Sequence, residues 1–290
     1  MERRKEERKR DSSLTLKSVY CETVETLKNA GIEEEVANAR LLMEHCFGIT
    51  SMDYVLNPNK ELEISKYEYF CECVNKRCEQ IPLQHITGKA NFMGIDFFVN
   101  ENVLIPRFDT ENLVEKVLEV SEGKRVLDMC TGSGCIILTL AKLGKVKSAM
   151  GIDISEKALE VANKNKEMLS LNNISFLKSD LFEEVGDDVR FDIIVSNPPY
   201  IPTAEIDKLM VEVKNHDPYI ALDGKEDGLY FYRRISKDAR KHLDNGGMLA
   251  LEIGYDQGES VPAILDKDGY KDIKVYKDLS GLDRVVTATI

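Results

Sequence analysis

The stretch RVLDMCTGSG, residues 125–134, reads as a short buried strand running straight into a glycine turn. Val126, Leu127 and Met129 make the strand apolar on both faces, and Asp128 interrupts it just before the bend. Gly132 and Gly134 permit a tight turn and let a ligand approach bare backbone. The third glycine of a dinucleotide fingerprint is missing, since Ile137 occupies its place. The Lys-Ser/Thr pair of a phosphate-gripping loop is missing too.

Downstream, the pattern of short apolar runs repeats. Further strand candidates lie at residues 148–152, 174–178, 191–196, 248–253, 273–276 and 284–289, with helical periodicity between most of them. Strands alternating with helices indicate an α/β fold, a parallel sheet covered on both faces. The loop over residues 277–283 is too short for a helical crossover, so one of the last two strands is expected to be antiparallel. Seven strands with a terminal antiparallel hairpin form the layout of the Rossmann-like methyltransferases, not of a six-stranded dinucleotide domain.

Upstream, residues 14–80 read as a small helical bundle. Leu16, Val19, Tyr20, Val24 and Leu27 recur at helical spacing, as do Val36, Ala39, Leu42, Met43 and Cys46. Gly31 and Gly48 punctuate these segments, and a third helix near residues 65–79 turns Phe70, Val74 and Cys78 inward. No chemistry is visible on the bundle. The aromatic and β-branched stretch NFMGIDFFV, residues 91–99, suggests a hairpin around Gly94. The expected division is a charged arm at 1–13, frayed or disordered, a helical domain at 14–80, a β-hairpin linker at 81–108 and a catalytic domain at 109–290.

Bulk properties narrow the function. The net charge of −12 opposes general nucleic-acid binding, which needs clustered Lys and Arg, so no direct nucleic-acid partner is expected. The basic concentration in the first eleven residues is diluted by four acidic ones. No apolar run reaches the roughly 18 residues that span a membrane, and MERRKEERKRD lacks the apolar core of a secretory signal. A cytoplasmic location and no membrane partner follow as expectations. Seven cysteines, an odd number without tandem CxxC pairs, suggest reduced thiols, and no metal is expected.

In open α/β sheets ligands sit off the carboxyl ends of the strands, and polar residues gather there. Asp128, Asp153, Asp180 and Asn197 lie at or just past four successive strand ends. Singly, each suits an ordinary cap or turn; together they outline a binding edge. A glycine turn without a phosphate grip suits a nucleoside lacking pyrophosphate, which describes S-adenosylmethionine. Asp153 is placed to accept from both ribose hydroxyls. Asp180 is placed to accept from an adenine amino group, with Leu181 packing on the ring.

After residues 191–196 comes Asn197-Pro198-Pro199-Tyr200. A carboxamide nitrogen is a poor nucleophile because its lone pair is delocalised. Two acceptors gripping its N–H bonds would turn that lone pair toward an electrophile. Asn197 supplies a side-chain carbonyl, and Pro198 supplies a backbone carbonyl without a competing N–H. Pro199 stiffens the loop, and Tyr200 offers a flat wall for a planar group. A sulfonium is a good leaving group, so no strong general base is demanded.

This tetrapeptide resembles that of methyltransferases acting on adenine N6, guanine N2 and glutamine N5. Five further segments narrow the resemblance: IPLQHITG at 81–88, LIPR at 104–107, DTE at 109–111, ALDGKEDGL at 221–229 and LEIG at 251–254. Together they resemble the bacterial peptide-chain release factor N5-glutamine methyltransferases over residues 14–290. The resemblance implies a Rossmann-like seven-stranded domain that transfers methyl from S-adenosyl-L-methionine to the glutamine of a Gly-Gly-Gln loop, with a release factor as protein partner. It also implies that Cys130, Thr131, Gly132, Ser133 and Gly134 wrap the methionine part of the cofactor, and Asp128, at the end of the strand before them, is expected to bind the cofactor too, as are Asp180 and Asn197. Asp153 would then bind ribose, and Leu181 would flank adenine. Asn197 to Tyr200 would hold the glutamine, with Phe92 helping to close the site.

Two departures stand out, Phe108 in place of a second proline and Cys130 in place of a more usual glycine. Arg107 and Glu252 sit in family-like segments without an assigned role, and His85 and His216 are expected to be structural. The competing readings are a nucleic-acid base methyltransferase, because a flipped base also presents a planar NH2, and a non-catalytic binding module.

Overall fold

A computed structural model describes residues 14–290, so the charged arm expected at 1–13 lies outside the described residues. The described residues divide into two compact units, the first ending at Thr87 and the second spanning Gly88–Ile290. The expected linker at 81–108 is thereby corrected: its first residues belong to the helical unit, and its hairpin belongs to the second. Among the described residues, no helix is long and apolar enough to cross a membrane.

The first unit holds α1 (Leu16–Asn29), α2 (Glu35–Phe47), α3 (Asp53–Leu56), α4 (Ile64–Cys78) and α5 (Leu83–Thr87). The Thr15 hydroxyl caps α1 by accepting from the Ser18 amide, and Gly48, with φ +68°, ends α2 in a left-handed cap. Leu16, Val19, Leu27, Leu42, Met43, Phe70 and Val74 form one core. Val36, expected inside, is exposed, because it lies in the first turn of α2, beyond the reach of that core. Arg77 is buried but satisfied: its Nε donates to Asn38 Oδ1 at 2.7 Å and its Nη1 to the Ile81 carbonyl at 3.1 Å. Spacing along the chain showed no metal motif, yet α2 and α4 bring His45, Cys46 and Cys73 together, with ligand atoms within 4.8 Å of one another. A His45 ring nitrogen is engaged there by the Tyr69 hydroxyl at 3.0 Å.

The second unit opens with a hairpin, β1 (Lys89–Phe92) and β2 (Ile95–Phe98), turning at Met93 and Gly94, both at positive φ. There follow α6 (Phe108–Leu118), β3 (Arg125–Met129), α7 (Cys135–Leu143), β4 (Ser148–Asp153), α8 (Glu156–Met168), β5 (Ile174–Lys178) and β6 (Phe191–Ser196). After β6 come a 3-10 turn, α9 (Val211–His216), α10 (Tyr219–Leu222), α11 (Tyr230–His242), β7 (Leu243–Glu252), α12 (Ser260–Lys267), β8 (Lys271–Lys277) and β9 (Asp283–Thr289).

The seven-stranded sheet runs β5-β4-β3-β6-β7-β9-β8, and β9 alone runs against the direction shared by the other six. Alternation along the strands fills two cores. Val126, Ile193, Val195 and Ala250 face α6 and α7, whereas Leu127, Met129, Ile194 and Leu251 face α11 and α12. The same alternation turns Asp128 and Glu252 onto the α6–α7 face. Strand order reverses at β3 and β6, which opens a crevice beyond their carboxyl ends.

Candidate active site

A cleft occupies that crevice. Cys130 and Gly132 line it from the turn after β3, Asp153 from β4, Asp180 and Leu181 from beyond β5, and Asn197 and Pro199 from beyond β6. Seven of the expected site residues, drawn from four strand ends, therefore share one surface. Gly132 has φ +54°, and a Cβ built on it would meet nothing within 4 Å, so its bare backbone faces open space. The turn thus fits a nucleoside cofactor of the expected kind. Cys130 also sits at positive φ, +59°, which explains why glycine would be at ease there: a side chain in this region costs about 1–2 kcal/mol.

Asp153 is held before any ligand arrives. Its Oδ2 accepts from the Gly132 amide and its Oδ1 from the Ser155 amide, each at 2.9 Å. Each oxygen keeps accepting capacity for a ribose hydroxyl. Burial raises its pKa, and the amides of Ser155, Gly132 and Ile154 oppose that rise. Asp180 lines the cleft but is ion-paired with Arg234 at 2.8 Å. Leu181 is buried at positive φ, 53°.

Other expectations are corrected. Asp128 is 0% exposed and does not line the cleft. It points to the helix-covered face, where its Oδ2 accepts from the Thr131 hydroxyl at 2.5 Å. Burial lifts its pKa to about 8. The side chains of Thr131 and Ser133 are likewise buried behind the turn, and Gly134 is the N-cap of α7, so these residues shape the turn from behind. Phe92 is 1% exposed within the α6–α7 core and cannot close the site with its ring. The burial pattern of β1 turns Ala90 and Phe92 inward together. His85 and His216 lie outside the residues that line the cleft.

In the Asn-Pro-Pro-Tyr loop, Asn197 Nδ2 donates to Thr110 Oγ1 at 3.2 Å. Pro198 and Pro199 are buried and hold the loop stiffly. Tyr200 is half-buried rather than a free wall: its hydroxyl reaches Glu252 Oε1 at 3.4 Å and its carbonyl accepts from Gln257 Nε2 at 3.1 Å. Residues 221–228 pack on this loop. Gly224 donates to the Ile201 carbonyl at 2.8 Å, and a Cβ on Gly224 would meet the Tyr200 carbonyl carbon at 2.7 Å. That close approach accounts for the glycine.

Among further lining residues that sequence reasoning did not assign are Ile220, Lys225, Tyr230, Phe231 and Arg234. Lys225 lies in a segment already marked by its resemblance. The residues of α11 carried no signal, because a polar or aromatic first turn of a helix reads as an ordinary surface.

Arg107 gains a structural role. Its Nη2 lies 2.6 Å from Asp217 Oδ2, and the Asp217 side chain is almost wholly buried. The pair ties the segment carrying Pro218 and Ile220 to the start of α6. Arg107→Ala is expected to destabilise the fold by about 2 kcal/mol, a charged hydrogen bond discounted for the solvent around Arg107, whose side chain is 42% exposed. A urea midpoint unchanged from wild type would contradict this.

Residues 20–88 match the family model described as PrmC N-terminal domain, and residues 120–238 match the one described as Methyltransferase domain. The release factor glutamine methyltransferase of Clostridium acetobutylicum is 40% identical over 280 residues, covering 95% of this chain and 98% of that protein. The protein of the same name from Caulobacter vibrioides is 39% identical over 278 residues, covering 94% and 96%. Among solved structures, a methyltransferase from Pyrococcus furiosus superposes with a TM-score of 0.52 over 68% of this chain and 90% of that one. At 19% identity, that likeness speaks to the fold alone.

Proposed function

Because the chain belongs to the release factor glutamine methyltransferase family, we propose that it methylates the side-chain nitrogen of a glutamine in the Gly-Gly-Gln loop of a peptide-chain release factor. S-adenosylmethionine, bound along the cleft, supplies an electrophilic methyl group on a sulfonium. The observation that carries this reading is Asn197 at the cleft wall, its amide nitrogen engaged by Thr110, so that its carbonyl end is turned away from Thr110.

Asn197 Oδ1 and the Pro198 carbonyl would accept the two N–H bonds of the substrate carboxamide and aim its lone pair at the methyl carbon. The new N–C bond forms as the S–C bond breaks, the bonding pair leaves with sulfur, and one N–H proton passes to water. Asp153 would hold the ribose, and Leu181 would pack on adenine. A glutamate at the target offers no N–H donors and sets its charge against two carbonyl oxygens, so it should not be methylated. The two glycines of the substrate loop let one side chain enter a recessed site without neighbours colliding. The helical unit, which carries no visible catalytic group, is the candidate grip for the rest of the release factor.

Mass spectrometry of a purified release factor after incubation with enzyme and S-adenosylmethionine tests the reading. One added methyl on the peptide carrying the Gly-Gly-Gln glutamine is expected, and none on its Gln→Glu variant. Methylation of an adenine oligonucleotide, with the release factor left unmodified, overturns the assignment.

A further inference from the structure

Three side chains of the helical unit take no part in the chemistry above. His45 and Cys46, near the C-terminal end of α2, and Cys73, on α4, bring their ligand atoms within 4.8 Å of one another. Cys46 and Cys73 are buried and His45 is exposed, so the group sits where the core meets solvent. The imidazole is held in place, because the Tyr69 hydroxyl engages its Nε2 at 3.0 Å. Tyr69 and Cys73 are four residues apart on α4 and therefore share one face of that helix.

We propose that His45, Cys46 and Cys73 form a zinc site that joins α2 to α4. Buried thiols commonly act as small apolar side chains, and two of them alone would need no other reading. Packing does not account for an imidazole brought against both from the solvent edge. Donor type selects the ion. Thiolate and imidazole suit zinc and copper(I), whereas magnesium and calcium demand oxygen. Charge then separates the two thiophilic ions. Two thiolates and a neutral imidazole carry two negative charges, which Zn2+ cancels. Cu+ would leave one of them uncompensated beside an apolar core, where bare charge is costly. The C-terminal end of a helix also favours a positive charge.

The spacing permits the ion. Zinc takes sulfur at about 2.3 Å and imidazole nitrogen at about 2.0–2.1 Å, which sets tetrahedral ligand atoms about 3.5–3.8 Å apart. From a spacing of at most 4.8 Å, the three close by about 1.3 Å or less, a distance that side-chain rotation covers. Two Zn–S bonds form as both thiol protons pass to water. Water fills the fourth position from the exposed side of His45, which is also the route of entry. The ion then staples helices that already share the core of Leu42, Met43, Phe70 and Val74. A ligand held by the folded state alone raises its stability.

The test uses the full chain, purified without a metal-affinity tag, stripped by chelator and kept reduced with a phosphine. Titration with Zn2+ should saturate at one equivalent with a Kd below about 1 μM, and the first thermal transition should rise by several degrees. Co2+ in its place should give the near-ultraviolet charge-transfer band of thiolate ligation, with the intensity of two sulfurs. His45→Ala, at an exposed position, is expected to fold and to weaken Zn2+ at least about tenfold. Cys46→Ala and Cys73→Ala should each abolish the cobalt band. Cys21→Ala, which removes an exposed thiol on α1, should bind as the wild type does. A wild type without the cobalt band, a His45→Ala chain with unchanged zinc affinity, or binding lost with Cys21→Ala overturns the site. Should the buried-cysteine variants not fold, the wild-type cobalt spectrum and His45→Ala still decide. A reduced chain that takes no zinc, yet is closed by hydrogen peroxide into a Cys46–Cys73 disulfide with release of two waters, makes the pair a redox couple and overturns the metal site.

Discussion

Asn197→Ala is expected to lower the rate of methyl transfer at least about a hundredfold while leaving most of the cofactor affinity intact. The loss follows from the role of its carbonyl oxygen. The substrate carboxamide is planar and its nitrogen lone pair conjugated, so reactivity depends on two acceptors holding the N–H bonds out of the plane of attack. Alanine removes one acceptor and leaves the Pro198 carbonyl, which cannot orient the group by itself. A misplacement of about 1 Å can by itself cost on the order of a hundredfold. Cofactor affinity should survive, because Asp153, Gly132 and Leu181 reach the cleft from other strands. The fold should survive as well, since Asn197 lies in a loop and donates one neutral hydrogen bond. Single-turnover kinetics at saturating release factor measure the effect, and near-normal turnover would remove Asn197 from the mechanism.

Asp153→Ala should instead strike binding. Two charge-assisted hydrogen bonds to ribose, at about 1.5–3 kcal/mol each with some compensation by water, give a loss of roughly 2–4 kcal/mol. That corresponds to a rise in Kd of roughly 30-fold to 1,000-fold. The structure adds a second route to the same loss. Asp153 also accepts from the amides of Gly132 and Ser155, so alanine releases the turn that presents bare backbone to the cofactor. Asp153→Asn, which keeps one acceptor and the side-chain shape, should fall between wild type and alanine. Because burial raises the pKa of this carboxyl, affinity in the wild type should weaken as pH falls and the acceptor becomes protonated. Calorimetry reads all of these, and an unchanged Kd in a folded alanine variant would place the ribose elsewhere.

Much of the fold was legible because its signals are local. The strands expected at 125–129, 174–178 and 191–196 are β3, β5 and β6 with the same bounds. A strand covered on both faces writes itself as an unbroken apolar run. The short loop at 277–283 foretold the antiparallel end of the sheet, because two parallel neighbours cannot be joined by so few residues. The hairpin was visible for the same reason. Its membership in the second unit was not, since the core that Phe92, Ile95 and Phe97 join is contributed by α6 and α7 from further along the chain.

The sequence by itself determined the order of strands and helices, and it marked the strand ends where Asp153, Asp180 and Asn197 would meet. Apolar periodicity and turn chemistry act over a few residues and need no knowledge of the rest. Only the tertiary structure decided which polar residues face the cleft and which stand behind it. Asp128 and Asp153 look alike at two strand ends, yet one is sealed against helices and the other opens to the cleft. Their difference depends on which sheet face each side chain takes and on what covers that face. The contact of Thr110 with Asn197 was out of reach for the same physical reason. Its two members come from α6 and the loop after β6, and nothing brings them together until the sheet is assembled.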